Sequence, residues 1–227
     1  MSQSKVRQGS VSTFMSHVYA FLSLGLATTA LTSYTISSVP EILTAVSTPW
    51  IFISLIIAEF YLVFRMASSL NSMTFTRLGS IFALFSILNG ATLTPLLMYY
   101  TGESIATAFI LTTSTVVIMS VVGFFTKKDF GGLGNFFLAS LIGLIVVMVA
   151  NIFIMSSSFS VLISCFAVFL FTGLISYDTQ RTKQSYRPGI EETQEGLKLA
   201  LRGALDIYLD FLNLFIHLLS LLGGSND

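Results

Sequence analysis

Leu133–Met155, LGNFFLASLIGLIVVMVANIFIM, runs for 23 residues without a charged side chain. At about 1.5 Å of rise per residue, a helix of this length covers about 35 Å, enough to cross the ~30 Å of hydrocarbon in a bilayer. The run is continuously apolar and lacks the in-out alternation of a barrel strand, which disfavours a transmembrane β-barrel. Nor does the rest of the chain offer polar sequence of domain size in which to bury it. Of 227 residues, 54% are hydrophobic and only 10% charged, against about 25% charged in an average soluble domain. A soluble globular fold and a soluble domain with one anchor are both excluded.

Working outward, six further segments are long and apolar enough to span: His17–Val39, Pro49–Met66, Leu78–Tyr99, Ser104–Phe125, Phe159–Ser176 and Gly203–Leu222. The breaks are short and carry turn residues or charge, as in Thr101-Gly102-Glu103, Lys127-Lys128-Asp129 and Ser156-Ser157-Ser158. The expected fold is an all-α membrane protein, a bundle of seven transmembrane helices. Residues 1–16 form an amino-terminal tail, 17–222 a single membrane domain and 223–227 a carboxyl-terminal tail. Lys5 and Arg7 before an apolar run superficially suit a signal peptide. The run is too long and lacks an Ala-x-Ala exit, so it is read as an uncleaved first span.

Eleven Lys and Arg balance eleven Asp and Glu, so position carries the information. Lys5 and Arg7 lie in the amino-terminal tail, Arg65 and Arg77 flank the second connection, and Lys127 and Lys128 lie in the fourth. Arg181, Lys183, Arg187, Lys198 and Arg202 lie in the sixth, which completes the eleven. The opposite loops and the carboxyl terminus hold Glu41, Glu103 and Asp227 instead. This alternation predicts an amino terminus inside and a carboxyl terminus outside. Tyr177–Arg202, the one hydrophilic stretch of any size, is expected to be a solvated cytoplasmic loop. No basic run interleaves with aromatics, so no nucleic-acid partner is expected. The lone Cys165 sits in an apolar stretch and is expected to be a buried structural thiol. No phosphate-binding glycine loop, nucleophile elbow or His/Cys metal cluster occurs, so the chain does not read as an enzyme.

Acids inside a bilayer are costly and mark function by default. Four need a reason: Glu59 in the second span, Asp178 at the end of the sixth, and Asp206 and Asp210 in the seventh. At about 100° per residue, Asp206, Asp210, Asn213, His217 and Ser220 fall within a sector of roughly 80° on one helix face. That stripe must face the bundle interior or water. Asn213 and Ser220 are read as interhelical hydrogen-bonding glue, worth about 1 kcal/mol each. His217 is read first as a packing histidine, with a ligand or proton-relay role as the alternative. Glue does not require two carboxylates. If Asp178 meets Asp206 or Asp210, the pair shares a proton near neutral pH and titrates as a unit. A proton-gated constriction, a cation site and an aspartyl hydrolase all fit such a pair. Calcium takes about 6–8 oxygen ligands, so these carboxylates with Asn213 and water would make a weak site, as conduction requires.

These residues resemble the Bax inhibitor-1 (transmembrane Bax-inhibitor-motif) family, particularly its bacterial inner-membrane branch. The resemblance covers roughly Ser80 to Gly224 well and the first two spans more loosely. It rests on Leu88-Asn89-Gly90-Ala91-Thr92-Leu93-Thr94-Pro95, Gly123-Phe124-Phe125-Thr126-Lys127-Lys128-Asp129 and Gly132-Leu133-Gly134-Asn135. Its most specific carriers are Tyr177-Asp178-Thr179-Gln180 and Gly203-Ala204-Leu205-Asp206-Ile207-Tyr208-Leu209-Asp210-Phe211-Leu212-Asn213-Leu214-Phe215. The resemblance implies a seven-helix bundle with a central last helix. It also implies a pH-sensitive calcium leak channel gated by an aspartate pair, here Asp178 and Asp210, which would hold calcium weakly. Asp206 would modulate the pair, and Glu59 matches the acidic position of the ion route, to which Asn213 is added. Some members close the pore with a basic latch at the end of the second helix. The aligned position, near Leu70 to Ser72, is not basic here, which leaves Arg65 and Arg77 as candidate latches.

The leading expectation is therefore a calcium leak channel in a bacterial inner membrane, with an organelle membrane of a eukaryote as the alternative. It would use no cofactor, calcium being the permeant ion, and its partners would be lipid and calcium. A second reading, also drawn from the family, is a membrane-embedded regulator of a protein partner, either a protease or a cell-death factor. A third is an intramembrane aspartyl protease. Against it, the seventh-span aspartates lack a preceding Gly-x-Gly and no Pro-Ala-Leu follows.

Overall fold

The structure, a computed structural model, describes residues 2–68 and 72–223, with side chains described from residue 11 onward. Leu70 and Asn71 of the aligned latch position lie outside the described residues, as do the Lys5 and Arg7 side chains and residues 224–227 with Asp227. The described chain is helical: α1 (Ser2–Ser37), α2 (Pro40–Ser47), α3 (Pro49–Ser68), α4 (Phe75–Tyr99), α5 (Gly102–Phe125), α6 (Gly134–Ile154), α7 (Ser157–Ser185) and α8 (Gln194–Leu222). A 3₁₀ turn at Gly131–Leu133 precedes α6. Seven of these helices, all but α2, are long and apolar enough to cross a membrane.

Prolines and caps set several boundaries. Pro40 stands at the start of α2 and Pro49 at the start of α3, where a missing N–H is not needed. The Thr101 hydroxyl accepts from the Ser104 N–H at 3.2 Å and caps α5. Pro95 lies inside α4. One turn of that helix is reinforced by the Thr94 hydroxyl, which donates to Gly90 O at 2.6 Å, as side chains do around a proline in a span. The turn Pro188-Gly189 separates α7 from α8, and Gly189 has φ 90, a conformation that favours glycine.

Several expectations are corrected. Tyr177–Arg202 is not a solvated loop, because α7 continues to Ser185 and α8 begins at Gln194. Each of these helices has 29 residues, about 43 Å against ~30 Å of hydrocarbon. Hydropathy marks where lipid ends, whereas the helix goes on wherever side chains still pack: Thr179, Gln180, Thr182, Ala200 and Leu201 are all buried. The helix that carries the first apolar span likewise starts before His17, since α1 runs from Ser2 to Ser37. The short helix α2 fills what reads in sequence as a loop, and its Val46 packs with Ile36 and Ala91. Cys165 is exposed. It shares the lipid-facing side of α7 with Leu162, Phe166 and Phe169, so an apolar neighbourhood in sequence did not mean burial.

The contacts divide into two compact units. One comprises Met1–Tyr99 with Ser185–Tyr208, the other Tyr100–Gln184 with Leu209–Asp227. In the first, Tyr208 is fully buried, with Phe82 and Phe85 edge-on at 5.6 and 5.7 Å and its hydroxyl 2.6 Å from that of Thr29. Gly90 lets α4 approach α1, since a Cβ there would stand 2.6 Å from Thr29 O. In the second unit Gly123 does the same for α5 and α7, because a Cβ would collide with the Ser176 carbonyl oxygen. Burial is most extensive in α8, where 56% of the most apolar stretch is buried against 6% in the span that contains α6. α6 is therefore a lipid-facing helix.

Gly123→Ala should destabilise the protein by about 1–3 kcal/mol, because backbone and not a flexible side chain is in the way. Gly143→Ala, which meets nothing within 4 Å, should be neutral or stabilising by up to about 1 kcal/mol through helix propensity. Thermal unfolding in detergent of the two variants checks this contrast.

Candidate functional site

The second unit holds a seam between α7 and α8. The Phe171 and His217 rings stack with centroids 6.4 Å apart and planes inclined by 17°. One end of the seam is polar: His217 Nδ1 lies 3.2 Å from the Ser164 hydroxyl, and Ser164 lies 3.5 Å from the Ser220 hydroxyl. The contacts pair low numbers on α7 with high numbers on α8, so the helices run antiparallel. Seven residues are close to two full turns, about 10.5 Å of rise, and return to nearly the same face. Asp178 follows Phe171 by seven residues, and Asp210 precedes His217 by seven. Both aspartates therefore continue the faces that meet at Phe171 and His217. Both are buried, at 9% and 5% relative exposure.

The polar stripe of α8 divides along its length. Asp210 and His217 lie at one edge of the sector and are buried. Asp206 and Asn213 are half-buried and Ser220 is exposed, so the other edge is the more open one. Asn213 donates to Leu209 O of its own helix at 2.8 Å, not across to a neighbour as the glue reading expects. Its amide is thus held along α8.

The motif around Asp178 bolts the end of α7 in place. Ser176 donates to Met119 O at 2.8 Å, and the Thr179 hydroxyl lies 3.3 Å from that of Ser120. Tyr177 packs against Phe137 at 5.3 Å and lies where a Cβ on Gly134 would be. Gln180 reads the α5–α6 connection in two directions: its Nε2 donates to Lys128 O at 2.9 Å and its Oε1 accepts from Phe130 N at 2.7 Å. Lys183 donates to Phe124 O at 2.5 Å and stands 4.6 Å over the Phe124 ring, which caps the carbonyl end of α5. In the same connection the Gly131 N–H, and then the Gln184 amide, hold the Asp129 carboxyl below its ordinary range. That contribution is present at neutral pH and is lost only as pH falls below the usual carboxylate range.

The remaining candidates belong to the first unit. Glu59 is half-buried and accepts from the Thr92 hydroxyl at 2.7 Å. Thr92 belongs to the Asn89-to-Pro95 string but was not singled out in the sequence. Arg65 is half-buried in the last turn of α3, whereas Arg77 is exposed at the start of α4, where its N–H meets the Thr74 hydroxyl at 3.4 Å. Among the described residues no group of three or more His, Cys, Asp or Glu is placed to hold a metal ion. Two residues that matter were missed. Ser164 was readable from the heptad spacing Ser164, Phe171, Asp178, while Gln180 carries no signal in sequence beyond its place in the motif.

Gln180→Leu should leave a donor and an acceptor of the connection unsatisfied, at a cost of about 1–3 kcal/mol. Hydrogen exchange at the Phe130 amide is the direct readout. Protection there should collapse in Gln180→Leu and survive in Gln184→Leu; equal protection in both would show that the clamp does not hold the loop.

A family model described as Inhibitor of apoptosis-promoting Bax1 matches residues 11–227. A protein of Deinococcus radiodurans is 36% identical over 217 residues, 96% of this chain and 92% of the relative. One from Borreliella burgdorferi is 34% identical over 215 residues, 94% of this chain and 93% of the relative. The inner membrane protein YbhL of Escherichia coli (strain K12) is 32% identical over 214 residues, 93% of this chain and 92% of the relative. With a family match over nearly its whole length and relatives aligned almost end to end, this multi-pass membrane protein belongs to the Bax inhibitor-1 family.

Proposed function

We propose that the chain is a pH-regulated cation leak pathway of a bacterial inner membrane, with calcium as the permeant ion and Asp178 and Asp210 as its gate. The observation that carries this reading is the register of the α7–α8 seam, in which both aspartates continue the contacting faces by two turns. The inner-membrane location is drawn from the relative of that description.

Two ionised carboxylates brought to about 4 Å repel by about 4 kcal/mol at an effective dielectric of about 20. One shared proton removes that repulsion and joins the two helices by a hydrogen bond. Its loss shifts a closed-to-open equilibrium by up to about a thousandfold, which is enough to switch a gate. The open pair attracts a divalent cation yet supplies too few of the roughly 6–8 oxygens that calcium takes for tight binding, so the ion passes. Glu59 with the Thr92 hydroxyl offers a second oxygen station, and Asp206 and Asn213, on the more open edge of α8, are the further members of the route. A positive charge holding the closed state is a separate part of the proposal. Half-buried Arg65 is its candidate ahead of exposed Arg77.

Calcium flux into proteoliposomes at about pH 6 and about pH 8 tests the gate. Wild type should conduct more at the higher pH, and Asp178→Asn and Asp210→Asn should each abolish the difference; flux absent from wild type at both values would sink the proposal. Arg65→Ala should raise flux at the lower pH. Thr92→Val, which removes the hydroxyl bonded to Glu59, should lower flux several-fold without moving the pH midpoint.

A further inference from the structure

The gate does not use the far end of the seam, where Ser164, His217 and Ser220 meet. His217 is 6% exposed and Ser164 is 4% exposed, whereas Ser220, in the last turn of α8, is exposed. The cluster thus joins a buried imidazole to the surface through two hydroxyls, at 3.2 and 3.5 Å. Simple packing would be served as well by an amide. Histidine is the side chain whose ordinary titration falls between about pH 5 and 8. Its ring lies on the same helix edge as Asp210, two turns away.

We propose that Ser164, His217 and Ser220 form a second proton-binding site, filled from the surface at Ser220 and separate from the aspartate pair. In the neutral ring one nitrogen carries hydrogen and the other a lone pair. A proton entering at Ser220 passes to Ser164 as each hydroxyl releases its own proton onward. The imidazole lone pair takes the last one, which leaves both hydroxyls neutral and the ring as imidazolium. Nδ1 then donates to Ser164 Oγ, whose own hydrogen turns toward Ser220. Little else in the unit competes for the charge. α7 presents Ser164 and Phe171 to the ring, and its other ionisable groups are exposed Cys165 and, beginning more than one and a half turns beyond Phe171, Tyr177, Asp178, Arg181 and Lys183. α6 has no charged residue, and the one acid of α5, Glu103, is exposed in its first turn. Asp210 is the carboxylate nearest along α8. At about 10 Å and an effective dielectric of about 20, its charge changes proton affinity at His217 by roughly tenfold. The consequence for gating rests on the aspartate reading; the proton site itself does not.

The chain has two histidines, so His17→Asn leaves His217 as the only one, and ring-15N NMR in lipid nanodiscs then reports on it alone. The expected result is a reversible titration between about pH 5 and 8, altered by Ser164→Ala and weakened about tenfold by Asp210→Asn. A ring signal unmoved by pH and by Ser164→Ala would make His217 a packing residue and overturn the inference. The two His signals of the unmodified protein guard against a folding defect in the variant. A wild type that titrates here yet carries no calcium would overturn the channel reading and leave this site standing.

Discussion

Hydrocarbon offers no water to a polar group, so every donor, acceptor and charge within the spans must find its partner in protein. The rest of the structure follows from that constraint. Hydroxyls bond back to the preceding turn, as Thr94 does to Gly90 O. Tyr208 reaches the Thr29 hydroxyl, and Glu59 takes the hydroxyl of Thr92. An acid that survives selection in such a setting has a use that outweighs its desolvation. The seam of α7 and α8 is where such residues concentrate in the second unit, and it is also among the most deeply buried parts of both helices.

Close backbone approach and polar contact divide the work of holding helices together. Gly90 and Gly123 bring α4 and α5 close against the backbone of α1 and α7. Such contacts are rigid, because their tolerance for added volume is nil. Hydrogen-bonded polar layers are different in kind: they can be remade when a proton arrives or leaves. The two kinds of contact lie at different places on the same helix, with Ser176 over Gly123 and Ser164 against His217.

How much of this was legible from sequence depends on which physical quantity each residue reports. Apolar runs report desolvation, and all seven spans were readable from them. The runs do not report where a helix ends once it leaves lipid, which is why the expected end of α7 and the expected start of α8 each fall nine residues short. Nor do they report which side of a lipid-embedded helix faces protein, the reason Cys165 was misplaced. The stripe on α8 could be found because its polar residues stand out against leucine and phenylalanine. Its α7 counterpart is marked only by the seven-residue spacing of Ser164, Phe171 and Asp178, and Phe171 in the middle of that face looks like any other lipid-facing aromatic until His217 is seen against it.

The clamp at Gln180 has one further implication. Its amide grips the backbone of Lys128 and Phe130 and none of their side chains. The clamp therefore places no demand on the side chains of residues 128 and 130, whereas it does fix the number of residues between them. A single inserted residue would put the wrong carbonyl and the wrong N–H opposite the amide, on the helix that carries Asp178 half a turn away. The clamp reads the length of this connection through its backbone and leaves its side chains to other contacts, such as those of Asp129.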